Sequence, residues 1–135
     1  MKELVFRIQF ENGTTEIIHH DESILSRYST PEALHDKGEL DAVINYKGYK
    51  ASGTGTFVAA FLGSPPIGLL VAIPATLTQP KIKNLDYPDS KLFEKHEYRD
   101  GYQKRAYKIK TKRIWINFMV GTAIWTSIFY LATRE

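Results

Sequence analysis

The sequence predicts a mainly α membrane protein. Two transmembrane helices, the first kinked by proline, are joined by a basic helical stalk and preceded by a small N-terminal α+β region containing a β-hairpin. Three observations carry that expectation. The stretches Thr56 to Leu77 and Ile114 to Ala132 contain no Asp, Glu, Lys, Arg or His, and each approaches the ~20 apolar residues that cross ~30 Å of hydrocarbon. Between them, residues 78–113 carry eleven Lys/Arg against five Asp/Glu. Ahead of both, Leu4, Phe6, Ile8 and Phe10 alternate with Val5, Arg7 and Gln9 and run into Asn12-Gly13.

The alternation gives a strand with one apolar face. Asn-Gly tolerates the positive φ of a tight hairpin turn, and Thr14 to Ile18 supplies a β-prone return strand. Thr30-Pro31-Glu32 reads as a helix start, with Thr as N-cap and Pro at the first helical position. That helix is expected to close near Gly38. A second, from Glu39 to about Lys50, leads toward the membrane until Ser52-Gly53-Thr54-Gly55 interrupts it. These residues form the first division, 1–52.

The first span, within 53–77, holds Ser64-Pro65-Pro66 at its middle. Proline removes a backbone donor and clashes with the preceding turn, so the helix kinks or breaks there. A re-entrant hairpin is the alternative path for such a segment. Ala59 and Gly63, then Gly68 and Ala72, are small-residue pairs four apart that let helices approach closely. In the second span, 114–132, Asn117 and Gly121 lie on one side and are expected to face the first. Asn117, Thr122, Thr126 and Ser127 are available for hydrogen bonds between helices. Residues 133–135 form a tail.

Division 78–113 starts as a loop, and a helix is predicted from Asp89 or Ser90 into the second span. Phe93, Tyr98, Tyr102 and Ile109 recur at near-helical spacing among Lys and Arg. Gly101 is a weak point, costing about 1 kcal/mol relative to Ala. Basic loops stay cytoplasmic, so the loop is assigned inside and both termini to the periplasm of a bacterial inner membrane. No signal peptide is read, because charge interrupts the apolar run after Met1-Lys2.

The mean hydropathy of −0.29 suggests a soluble chain only because it averages unlike segments. Without cysteine, disulfides, thiolate metal sites and cysteine nucleophiles are excluded. His19 and His20 are neighbours on a strand and point to opposite faces, so no metal site is assigned there. Glu94, His96 and Glu97 suit the first turns of a helix without a catalytic partner. Ser52 to Thr56 lacks the Gly-Lys-Ser/Thr ending of a phosphate loop. No cofactor is expected, and no nucleic acid, since no recognised binding fold accompanies the basic charge.

Asp41-Ala42, Gly48-Tyr49-Lys50, Gly53-Thr54-Gly55, Asn84 to Pro88, Gly101-Tyr102, Ala106, Ile109-Lys110 and Trp115 to Phe118 form a pattern covering much of residues 39–121. It resembles a two-span module of hypothetical membrane proteins in Bacteroidota. The resemblance implies a membrane architecture and no activity.

The expectation is therefore a non-enzymatic integral membrane protein: an anchor or accessory subunit of a larger complex, or a self-assembling scaffold. The alternative is an oligomeric small pore or membrane-perturbing effector. Its partners would be membrane lipids and a membrane protein or further copies of itself. Lys104, Arg105, Lys108, Lys110, Lys112 and Arg113 are the candidate contacts to lipid headgroups or a partner, since basic residues beside a span attract anionic lipid.

Overall fold

A computed structural model describes residues 5–9, 15–19 and 30–134. Strands β1 (Val5–Gln9) and β2 (Thr15–His19) pair antiparallel, Arg7 opposite Ile17. The Asn12-Gly13 turn, Leu4, Phe10 and His20 lie outside the described residues.

Helix α1 spans Pro31–Asn45. Thr30 caps it, its hydroxyl accepting from the Ala33 amide at 3.2 Å, and Pro31 occupies the first turn. The helix runs through Gly38 instead of closing there. Helix α2 (Tyr49–Val58) passes into a π-helical turn, Ala59–Gly63. The chain bends at Ser64, whose φ is 108° and ψ 158°, and α3 runs over Pro65–Leu77. A 3-10 turn (Ile82–Asn84) precedes the short α4 (Ser90–Glu94), capped by Asp89, which accepts from Lys91 N at 2.8 Å and Leu92 N at 3.3 Å. The long α5 spans His96–Ala132, about 55 Å at 1.5 Å per residue.

The first half of α5 anchors a small body. Ala42, Tyr46, Leu85, Leu92, Phe93, Tyr98, Tyr102 and Ala106 form its core. Helix α1 lies directly on α5: a Cβ at Gly38 would run into the Tyr98 carbonyl, and one at Gly101 into the His35 carbonyl. Two glycines thus let two backbones touch. The weak point expected at Gly101 is the residue that permits the packing, and Gly38 serves the crossing rather than a helix end.

The second half of α5 carries the apolar segment 49–77 beside it. Gly53 sits under the Asn117 side chain, whose Nδ2 would lie 2.6 Å from a Cβ there. Farther along, Gly121 abuts the Phe57 carbonyl and Ala60, so α2 and α5 advance in the same direction. Past Ser64 the chain returns, Gly68 resting on Ala60. Tyr107 Oη then donates to the Thr76 carbonyl at 2.8 Å, and Lys110 Nζ to the Thr78 carbonyl at 2.8 Å. Both ends of the segment therefore stand beside the basic part of α5.

This overturns the predicted two-span fold. Among the described residues one helix, His96–Ala132, is long and apolar enough to cross a membrane. Helix α3 is apolar but has 13 residues, about 20 Å of rise against the ~30 Å required. The physical reason is Ser64-Pro65-Pro66. The residue before proline is driven out of the helical region, and Pro65, with its preset φ, starts a new helix. At Ser64 the result is a reversal rather than a kink. The α+β region fails as well: α1 packs on α5, the strands form a two-stranded sheet of their own, and no complete hairpin turn falls among the described residues.

Candidate functional site

The boundary between the polar body and the apolar half of α5 carries the chain's most distinctive chemistry. The end of α1 and the start of α2 stand opposite one face of α5 there, enclosing an open groove of about 520 Å³. Val43, Ile44, Ile109 and Ile116 supply its apolar surface, with Tyr46 and Tyr49 beside them. Lys47, Arg105, Lys108, Lys112 and Arg113 supply positive charge, and among the described residues no acidic side chain lines it. The Arg113 guanidinium lies 5.4 Å from the centre of the Tyr49 ring, a cation–π geometry that orients it.

The six predicted basic residues divide three ways. Arg105, Lys108, Lys112 and Arg113 meet at the groove. Lys104 faces a separate recess beside Gln79, Pro80 and Tyr107. Lys110 is buried and turns toward the end of α3, donating to the Thr78 carbonyl and, at 3.0 Å, to Thr78 Oγ1. Burial pushes its pKa below the usual lysine value. With Tyr107 it satisfies carbonyls that a helix end leaves without partners, and a cation also suits the negative end of the helix dipole. Lys110 is a latch on the returning leg, not a displayed charge.

The predicted packing residues are distributed differently from their pairing in sequence. Gly68, Ala72 and Gly121 are buried, and Ala60 is the small residue that both Gly68 and Gly121 approach. Ala59 is only half-buried, and Gly63 faces the Ile67 side chain across the bend. Asn117 covers Gly53. The hydrogen bonds expected between spans do not form at Thr126 and Ser127, whose hydroxyls return to carbonyls of their own helix. Thr122 Oγ1 is buried without a partner among the described residues.

Sequence reasoning missed Lys47 and Tyr49 as groove residues and Tyr107 as a clamp on α3. Their signal lay in the Ser-Pro-Pro reversal, which places 49–52 and 76–79 on the same side. Away from the groove, His35 Nε2 lies 3.6 Å from Asp100 Oδ2 and Nδ1 3.8 Å from Asp36 Oδ1. Among the described residues no cluster of three or more His, Cys, Asp or Glu could hold a metal.

The apolar surfaces beyond the groove are open. Leu62, Leu70 and Leu77 on the folded-back segment are 73%, 74% and 75% exposed, and Met119 and Leu131 on α5 are 67% and 66% exposed. Only 11% of the apolar window of α5 is buried. The core helix of a soluble protein would have that window mostly covered.

No protein-family model, curated protein or solved structure matches this chain. The residues that carried the resemblance to the two-span module include Asp41, Ala42, Gly101, Tyr102 and Ala106, all buried in the body. They speak to packing rather than to chemistry.

Proposed function

We propose that this chain is a non-enzymatic, membrane-anchored protein in which α5 crosses the bilayer once and the segment 49–77 dips in and returns. It serves as an anchor or accessory subunit of a larger membrane assembly, or assembles with copies of itself. The observation that carries this reading is the open apolar surface shared by α5 and the folded-back segment. Exposed apolar area of this extent marks contact with membrane or protein.

A single crossing also changes the orientation. All but one of the 18 Lys and Arg precede Ile114, and basic flanks remain cytoplasmic. The proposal therefore puts the body and the N-terminal segment in the cytoplasm of a bacterial cell, and residue 133 onward outside. Placing both termini in the periplasm required two crossings.

The test is a mild-detergent pull-down of the tagged full chain from its native membrane, with mass spectrometry and sizing. A stoichiometric membrane partner or a defined homo-oligomer is expected. A compact monomer carrying neither would contradict the proposal.

A further inference from the structure

We propose that the groove between α1–α2 and α5 holds one anionic phospholipid, its phosphate among Lys108, Lys112 and Arg113 and its acyl chains running along Ile116. The inference rests on the membrane reading above and deepens it. Three independent features converge on this occupant.

The first is charge. Among the described residues no carboxylate lies within ion-pair distance of Lys108, Lys112 or Arg113. The second is position. Lys112 and Arg113 immediately precede Ile114, where the uncharged stretch begins, which is the depth of lipid phosphates. The third is continuity. Ile116, at the lower end of the groove, is 39% exposed and leads to Met119 and Val120, 67% and 46% exposed. A ligand with an anionic head and apolar tail is covered at both ends, whereas a free anion leaves the apolar wall bare. An acidic peptide would meet the charge but not the continuation into the belt. The volume falls in the ~300–1,000 Å³ range of small-molecule pockets, and basic pockets beside transmembrane helices on the cytoplasmic side hold anionic headgroups.

The test uses the full chain reconstituted in vesicles of equal phosphatidylglycerol and phosphatidylcholine. One portion is washed with alkaline carbonate to test integral insertion, and a second, kept at neutral pH throughout, is examined by native mass spectrometry. One phosphatidylglycerol per chain is expected, favoured over phosphatidylcholine by roughly tenfold or more, since cations near the membrane surface attract anionic headgroups. The triple variant Lys108→Gln, Lys112→Gln, Arg113→Gln loses that preference. A control of equal charge change, Lys81→Gln, Lys83→Gln, Lys95→Gln, keeps it, because those residues lie outside the groove. Equal loss in both variants would overturn the site in favour of diffuse attraction. Displacement of the lipid by inorganic phosphate would overturn the lipid assignment. Release of the protein by carbonate would defeat the membrane reading itself, whereas a retained protein without lipid preference defeats the groove proposal alone.

Discussion

The Tyr98 phenol donates a 2.8 Å hydrogen bond to Asp41 Oδ2, joining α5 to α1 across 57 positions of sequence. Asp41 is 5% exposed, and its other oxygen accepts from Lys37 Nζ at 2.6 Å. A buried carboxylate is tolerated only when it is paired and hydrogen-bonded, and here both oxygens have partners. Tyr102, one turn on, donates to the Leu85 carbonyl at 2.6 Å. These contacts fix the body that frames one wall of the groove.

Tyr98→Phe is expected to destabilise the body by about 1.5–3 kcal/mol, the range for a hydrogen bond to a charged group. Urea unfolding of the detergent-solubilised protein measures it. A double-mutant cycle with Asp41→Asn should show coupling between the two sites. Additivity would mean that the contact contributes nothing of its own.

The glycine crossing gives a sharper contrast. Ala at Gly38 or Gly101 must push two backbones apart, and a loss of about 3 kcal/mol or more is expected, the upper end for overpacking. At Gly55 a Cβ would meet nothing within 4 Å, so Ala should be tolerated there with a gain of up to about 1 kcal/mol from helix propensity. Thermal unfolding of the three variants tests the ranking.

Ser64 has a backbone conformation that favours glycine. Such outliers cost on the order of 1–3 kcal/mol. Ser64→Gly should therefore stabilise the reversal, by up to about that amount. A fall in melting temperature would show that the serine side chain supplies something the backbone argument omits.

Alkaline pH should weaken the body. Burial, then the charge of Asp86, raises the Tyr46 pKa from 10.0 to about 12. Tyr98 and Tyr102 are raised further, first by burial and then, for Tyr98, by its bond to Asp41. A phenol with a raised folded pKa keeps its proton where the unfolded chain has lost it. Its stabilising contribution is complete below pH 10 and is lost as pH climbs toward the folded value. Lys110 acts in the opposite sense. Its folded pKa is depressed from 10.5, so its burden eases as pH rises toward that value. With three tyrosines against one lysine, net destabilisation above pH 10 is expected, reported by tyrosinate absorbance appearing together with loss of helical circular dichroism. Free titration at pH 10 with the helices intact would contradict the burial of these rings.

Local features were legible in the sequence where local chemistry decides them. Thr30-Pro31 starts a helix, Asp89 caps one, and the uncharged run from Ile114 extends α5 to Ala132. Tertiary packing decided the rest. Gly38 has the appearance of a helix stop, and only the approach of α5 shows why the helix continues through it. Hydropathy counts apolar residues without direction, so 56–77 passes as a span although its prolines send it back. Lys110 is indistinguishable from its basic neighbours in sequence. Its burial follows from where the returning leg ends.

The single crossing is the central claim, and the absence of cysteine makes it directly measurable. Single cysteines at Ala51, Gln79 and Thr133, all exposed, would be treated with a membrane-impermeant thiol reagent in intact cells and again after lysis. The account predicts that Ala51→Cys and Gln79→Cys label only after lysis, while Thr133→Cys labels from outside. Labelling of Ala51→Cys from the side opposite Gln79→Cys would mean that the segment between them crosses, and would contradict the folded-back arrangement.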